Sequence, residues 1–197
     1  MGSLSSPLML LVLSLVVGAA VGALPRAVDP AAWMERLAAR LGPLAPVAVP
    51  VLFTAPAWLL GWVNAPDPLV TALSVWLLAG CLTLPGPETA TPTETLAGRF
   101  VAPLFYYCLL GVPGAVFARA VDATRPHAPW PDRVIGLAPR WLATGSLSLA
   151  GRLRGRAPSS ETTPLALDET WRSARLAAWI AAALAALSLY PRHAFLL

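Results

Sequence analysis

The charged residues divide this chain into long apolar stretches. No Lys, Arg, Asp or Glu occurs from Met1 to Pro25, from Leu41 to Pro66, from Pro68 to Pro87 or from Phe100 to Ala118, and a shorter uncharged stretch runs from Leu176 to Pro191. A hydrocarbon core of ~30 Å takes roughly 20 helical residues to cross. Four of these stretches approach or exceed that length and the fifth falls a little short. Soluble helical cores rarely hold even one such stretch. The pattern therefore predicts an all-α membrane protein with about four to five transmembrane or re-entrant helices plus short interfacial helices. Residues 1–197 read as one multi-pass domain in the cell membrane.

Punctuation along the chain sharpens this reading. Leu8–Leu24 could serve as a signal peptide or as a retained helix, and the absence of Lys or Arg from Met1–Pro7 favours the retained helix. Asp29 suits an N-cap and Pro30 the first helical position. The helix they start places Trp33, Leu37 and Leu41 on one face and Arg36 and Arg40 on another, as a short interfacial helix would. Asn64–Pro68 is a turn by composition, which makes the second and third stretches a helical hairpin. Trp58, Trp62 and Trp76 are expected near the membrane surfaces. Thr91, Pro92 and Glu94 form a capping box for the next helix.

That next helix, through Phe100–Phe117, is interrupted by Pro103, Gly111, Pro113 and Gly114, so a straight span is disfavoured. The segment from Arg119 to Arg140 is polar and Pro-rich and reads as a loop. Trp141–Gly151 is apolar but too short to span, a loop follows from Arg152, and Leu165–Tyr190 is the last helix.

Arginine placement gives an orientation. Arg26, Arg36 and Arg40 put the first loop in the cytoplasm, and the Arg-free turn at Asn64–Pro68 belongs outside. A full crossing by Phe100–Phe117 would then place Arg119, Arg125, Arg133, Arg140, Arg152, Arg154 and Arg156 outside, against the positive-inside rule. A broken or re-entrant segment removes the conflict and points to a cytoplasm-facing pocket around residues 94–140.

Composition adds little beyond this. The chain is 57% hydrophobic and 12% charged, where soluble domains carry about 25% charged residues. All 14 basic residues are Arg, which accords with GC-rich codon usage as the Ala, Pro, Leu and Gly content does. The net charge of +4 fits Arg-rich loops beside anionic lipid heads. No basic stretch is interleaved with stacking aromatics, so no nucleic-acid partner is expected. Cys81 and Cys108 form no CxxC pair and read as small apolar residues. No Walker-type loop is present, and Gly111–Gly114 reads as a helix break.

One stretch carries a resemblance. Glu94, then Ala102-Pro103-Leu104-Phe105, Gly111, Pro113-Gly114-Ala115 and Arg119-Ala120-Val121 follow one another in the order of the CobD/CbiB family. These are membrane proteins of cobalamin biosynthesis, related to AmpE. Asp132-Arg133-Val134 with Pro139-Arg140 resembles a later motif of the family, and Asp29-Pro30 with Trp33 an early one. The chain departs from the pattern at Thr95, at Asp29 and at Asp122–Arg125. Its Arg140 is one residue out of phase, and the chain is shorter than a typical member.

The resemblance implies an ATP-driven amide synthesis that joins an aminopropanol-type amine or its phosphate to a carboxylate of adenosylcobyric acid. ATP and Mg are the implied cofactors, and a corrinoid and the amine are the implied partners alongside the lipid bilayer. It marks Glu94, Asp122 and Asp132 as metal ligands or catalytic base. Arg99, Arg119 and Arg140 are marked as phosphate-binding. Each has a plainer competing role: Glu94 closes a capping box, the two aspartates suit turns, and the arginines suit anchors at the inner surface. The alternative is a degenerate, non-catalytic relative acting as a membrane scaffold or sensor beside other membrane subunits.

Overall fold

The computed structural model describes residues 7–21, 28–62, 68–82, 96–153, 174 and 176–186. The capping box at Thr91–Glu94, the turn at Asn64–Asp67, the loop beyond Leu153 and both ends of the last expected helix lie outside them. All regular structure among the described residues is helical, with no strand. In chain order these are α1 (Pro7–Val21), α2 (Pro30–Leu41), a 3₁₀ turn (Gly42–Leu44), α3 (Ala45–Trp62) and α4 (Pro68–Cys81). A π-helical segment (Ala97–Val101) then leads into α5 (Ala102–Leu110), α6 (Val112–Ala123), α7 (Pro129–Ile135) and α8 (Leu137–Leu153). The apolar helix Leu176–Ala186, α9, is the last.

Local chemistry sets several of these boundaries. The Asp29 side chain accepts from the Ala31 amide at 2.9 Å and Pro30 follows it at the first position, as the sequence predicts. Gly42, at φ 53°, ends α2 and lets the chain change direction before α3. Pro103 has no N–H to offer the carbonyl of Arg99. The turn before it widens, and the Ala102 amide donates to Ala97 across a π turn.

The expected interruption of Phe100–Phe117 is a chain reversal point. Gly111, at φ 72°, separates α5 from α6, and Pro113 sits in the first turn of α6. The two helices pack against each other so closely that a Cβ on Gly114 would overlap the Tyr106 carbonyl oxygen and lie 2.8 Å from Leu110 Cβ. With 9 and 12 residues, α5 and α6 are about 14 and 18 Å long, each well short of a bilayer core.

Two expectations need correction. First, α2 buries Pro30, Ala31, Met34 and Ala38 against α3, α4 and α6, whereas Trp33 is exposed. The physical reason is size. Small residues let α2 approach α4 until Gly80 has no room for a Cβ beside the Pro30 ring, so α2 is a packed helix as well as an amphipathic one. Trp33 stacks edge-on with Trp76 at 5.5 Å, and Trp76 Nε1 donates to the Val28 carbonyl at 2.9 Å. Second, the Arg119–Arg140 segment is largely helical, spanning the end of α6, all of α7 and the start of α8. Trp141–Gly151 belongs to the longer α8, which packs on the π segment and on α5.

The interior mixes small and large side chains: Leu11, Leu78, Leu96, Phe100 and Tyr107 are buried. Alanines fill much of the interior, including Ala45, Ala57, Ala115, Ala120, Ala177 and Ala182, while Val47, Val51, Leu59 and Leu69 face outward. Among the described residues one helical stretch, Pro30–Leu59, is long and apolar enough to cross a membrane, and 22% of its apolar window is buried in the protein. Pro7–Val17, Pro68–Cys81, Ala97–Leu110 and Leu176–Ala186 are apolar but shorter. The all-helical class expected from sequence is thus present among the described residues.

The α5–α6 contact makes a direct prediction. Gly114→Ala should destabilise the purified protein in detergent by about 1–3 kcal/mol, because the methyl group meets backbone. Gly145→Ala, where nothing lies within 4 Å of the new Cβ, should be neutral or slightly stabilising. Thermal unfolding of the two variants checks both, and equal melting temperatures would refute the packing described.

Candidate functional site

The most buried charge among the described residues is Arg119, which is 2% exposed on α6. A guanidinium taken out of water is costly unless paired, and the structure pairs it twice. Its Nη1 donates to Asp122 Oδ2 at 2.5 Å, one helical turn further along α6. Its Nη2 donates to Glu35 Oε1 at 2.8 Å, from the opposite wall on α2. Arg99, on the π segment, approaches the same Glu35 oxygen at 3.7 Å. The side chains of Arg99 and Glu35 are 41% and 45% exposed, so the network runs from a buried guanidinium out to an accessible edge.

Each member is held by backbone geometry. The i, i+3 spacing on α6 brings Asp122 under Arg119. Packing of α2 on α6 brings Glu35 across. The π segment comes close because Gly98 has no side chain: a Cβ there would lie 2.7 Å from Asp122 Oδ1. Arg119 Nε is buried and has no acceptor among the described residues. An unanswered buried donor of this kind costs about 1–3 kcal/mol.

Of the six residues marked by sequence, the structure brings Arg99, Arg119 and Asp122 together. Glu94 lies outside the described residues. Asp132 is on α7, with its side chain outside the described set, and Arg140 is exposed on the first turn of α8. Arg119 directs one N–H of each terminal nitrogen to a carboxylate, so its charge is answered inside the protein. Asp122 likewise spends one oxygen on Arg119. Among the described residues no group of three or more His, Cys, Asp or Glu side chains could hold a metal ion.

Glu35 escaped the sequence reading, which saw only the Arg and Trp faces of its helix. A signal was there: it is the one acidic residue between Asp29 and Asp67. An isolated acid in an apolar half of a chain needs a cationic partner, and Arg119 is that partner.

No family model matches this chain, and no curated protein or solved structure is significantly similar to it.

The network predicts sharp discrimination between cations. Arg119→Lys should behave nearly as badly as Arg119→Leu, because one ammonium cannot fork between carboxylates on two helices. The loss should be about 3–5 kcal/mol, since Asp122 is left without its partner in the interior. Glu35→Gln, at a half-exposed position, should cost no more than about 1 kcal/mol. Denaturant titration in mixed micelles measures all three, and a stable Arg119→Lys would show that the fork does not matter.

Proposed function

We propose that this chain is a multi-pass helical membrane protein of CobD/CbiB type, with a cytoplasm-facing charged site built from Glu35, Arg99, Arg119 and Asp122. The membrane part of this reading is supported by the large apolar side chains on the outside. Leu44, Val47, Val51, Leu52, Trp58 and Leu59 on and just before α3, Leu69 and Leu73 on α4, and Leu109 and Leu110 on α5 are all exposed. A water-soluble protein rarely presents that much contiguous apolar surface. Lipid tails accept it at no cost, and small residues at helix contacts are what membrane packing selects. In this reading α5 and α6 form a re-entrant pair broken at Gly111, consistent with the arginine distribution.

The single observation that carries the functional part is convergence. Arg119, from the Arg-Ala-Val word of the resemblance, meets Arg99 and Asp122, which lie beside its words, in one network that opens to the surface through Arg99 and Glu35. The reaction implied is amide formation between a corrinoid carboxylate and an aminopropanol-type amine, driven by ATP. Arg99, the accessible cation, is the group suited to an anionic part of the substrate, and Arg119 orients Glu35 beneath it. A base and any Mg ligands would have to come from Glu94 and Asp132, because Asp122 is committed to Arg119.

That commitment is also what favours the second reading. A network whose charges answer one another holds helices together without doing chemistry, as in a non-catalytic scaffold or sensor.

Complementation of a strain lacking the cobinamide synthase, scored as cobalamin-dependent growth, separates the two. The enzyme reading expects growth with the wild-type chain and none with Asp132→Asn or with either Glu94→Gln or Glu94→Ala, at unchanged protein levels. Gln keeps an N-terminal cap but is neither a base nor a good Mg ligand. Growth with Glu94→Gln would reduce Glu94 to a cap. Failure of the wild-type chain in a proven host would leave the scaffold or sensor reading.

A further inference from the structure

The α7–α8 region carries an apolar stripe that the charged site does not use. Trp130, Val134, Leu137 and Trp141 recur at intervals of three and four residues, and all of them are exposed. Trp141 reaches 77%, the highest value of any large apolar side chain among the described residues. On α8 the buried positions are Pro139, Ala143 and Ser146, which share one face. That face packs on the core side, since α8 contacts the π segment and α5. Leu137 and Trp141 therefore project away from the protein.

The charges beside the stripe are mostly basic. Arg133 and Arg140 are exposed, each immediately before a stripe residue, and Asp132 is the single acid between Asp122 and Glu161. Indole rings prefer the boundary between headgroups and acyl chains, and arginines beside them suit lipid phosphates. The polar Thr144, Gly145, Ser146 and Ser148 in the middle of α8 argue against a crossing helix.

We propose that α7 and α8 dock on the anionic headgroup surface of the membrane, with Trp130 and Trp141 inserted at the boundary and Arg133 and Arg140 on lipid phosphates. The charge complementarity selects an anionic lipid surface as the occupant. This inference rests on the membrane reading above, and its docking would hold the opening of the Glu35–Arg119 network at the inner surface.

Nitroxide labels on single cysteines in a Cys81→Ala, Cys108→Ala background test it, with the full chain reconstituted into phosphatidylcholine–phosphatidylglycerol vesicles. Trp130→Cys and Trp141→Cys report on the stripe, Val51→Cys on α3, and His127→Cys on an exposed polar position. Power saturation with oxygen and with a water-soluble nickel chelate should give a higher oxygen-to-chelate ratio at 130 and 141 than at 127. That excess should fall in pure phosphatidylcholine, and fall again with Arg133→Gln and Arg140→Gln together. If the chelate reaches 130 and 141 as readily as 127 while 51 stays oxygen-rich, the docking is wrong and the stripe lies in water, open to a protein partner. If 51 is equally open to the chelate, the membrane reading fails with it. A ratio indifferent to lipid charge and to both arginines would overturn the headgroup contact.

Discussion

A guanidinium enclosed by protein has to be answered by carboxylates, and much of this structure is arranged around that requirement at Arg119. The two acids that answer it belong to different helices, so the pairing joins α2 to α6 as well as neutralising a charge. The π segment is drawn into the same place through Arg99 and Gly98, where a hydrogen atom is all that fits beside Asp122. Three parts of the chain far apart in sequence are thereby fixed relative to one another. Ionic pairing in an interior is a weak source of net stability and a stronger source of geometric choice.

The rest of the packing is consistent with a lipid solvent. Ala177, Ala178, Ala182 and Ala185 of α9 turn inward, and Trp179 and Leu184 turn outward. In water this orientation would give away the apolar area that drives folding. In a bilayer the outward residues lose nothing, and close approach of backbones supplies the contact energy. The polar groups that remain inside mostly bond locally or to nearby backbone: Ser14 donates to the Leu10 carbonyl, and Thr124 to Val121. Tyr106 and Tyr107 reach further, donating to the carbonyls of Ile135 and Pro7 respectively, and so tie α5 to α7 and to α1.

What the sequence made legible was whatever local chemistry decides. Asp29 with Pro30 starts a helix wherever the chain goes next, and a glycine at Gly111 followed by Pro113 breaks one. The helical class followed from uncharged length alone. The face that α2 buries was not legible, because Met34 and Ala38 compete with Trp33 and Leu37 and the outcome depends on the shape of α4 and α6. Glu35 was missed for the same reason: its partner is 84 residues away. Arg119 and Asp122 were singled out, yet as separate ligands in a polar loop. Only their burial on α6 shows that they satisfy each other.

The most direct measurement is the coupling between Arg119 and Asp122. Arg119→Leu, Asp122→Leu and the double variant, unfolded in mixed micelles, give a double-mutant cycle for the innermost pair. Arg119→Leu leaves Asp122 without its partner and Asp122→Leu leaves Arg119 with Glu35 alone, whereas the double change removes both members of the pair. The double variant should therefore be less destabilised than the two single losses added together, with a coupling of about 1–3 kcal/mol. Additivity within about 0.5 kcal/mol would mean that the pair exchanges no significant energy and that something else fixes α6 in its place.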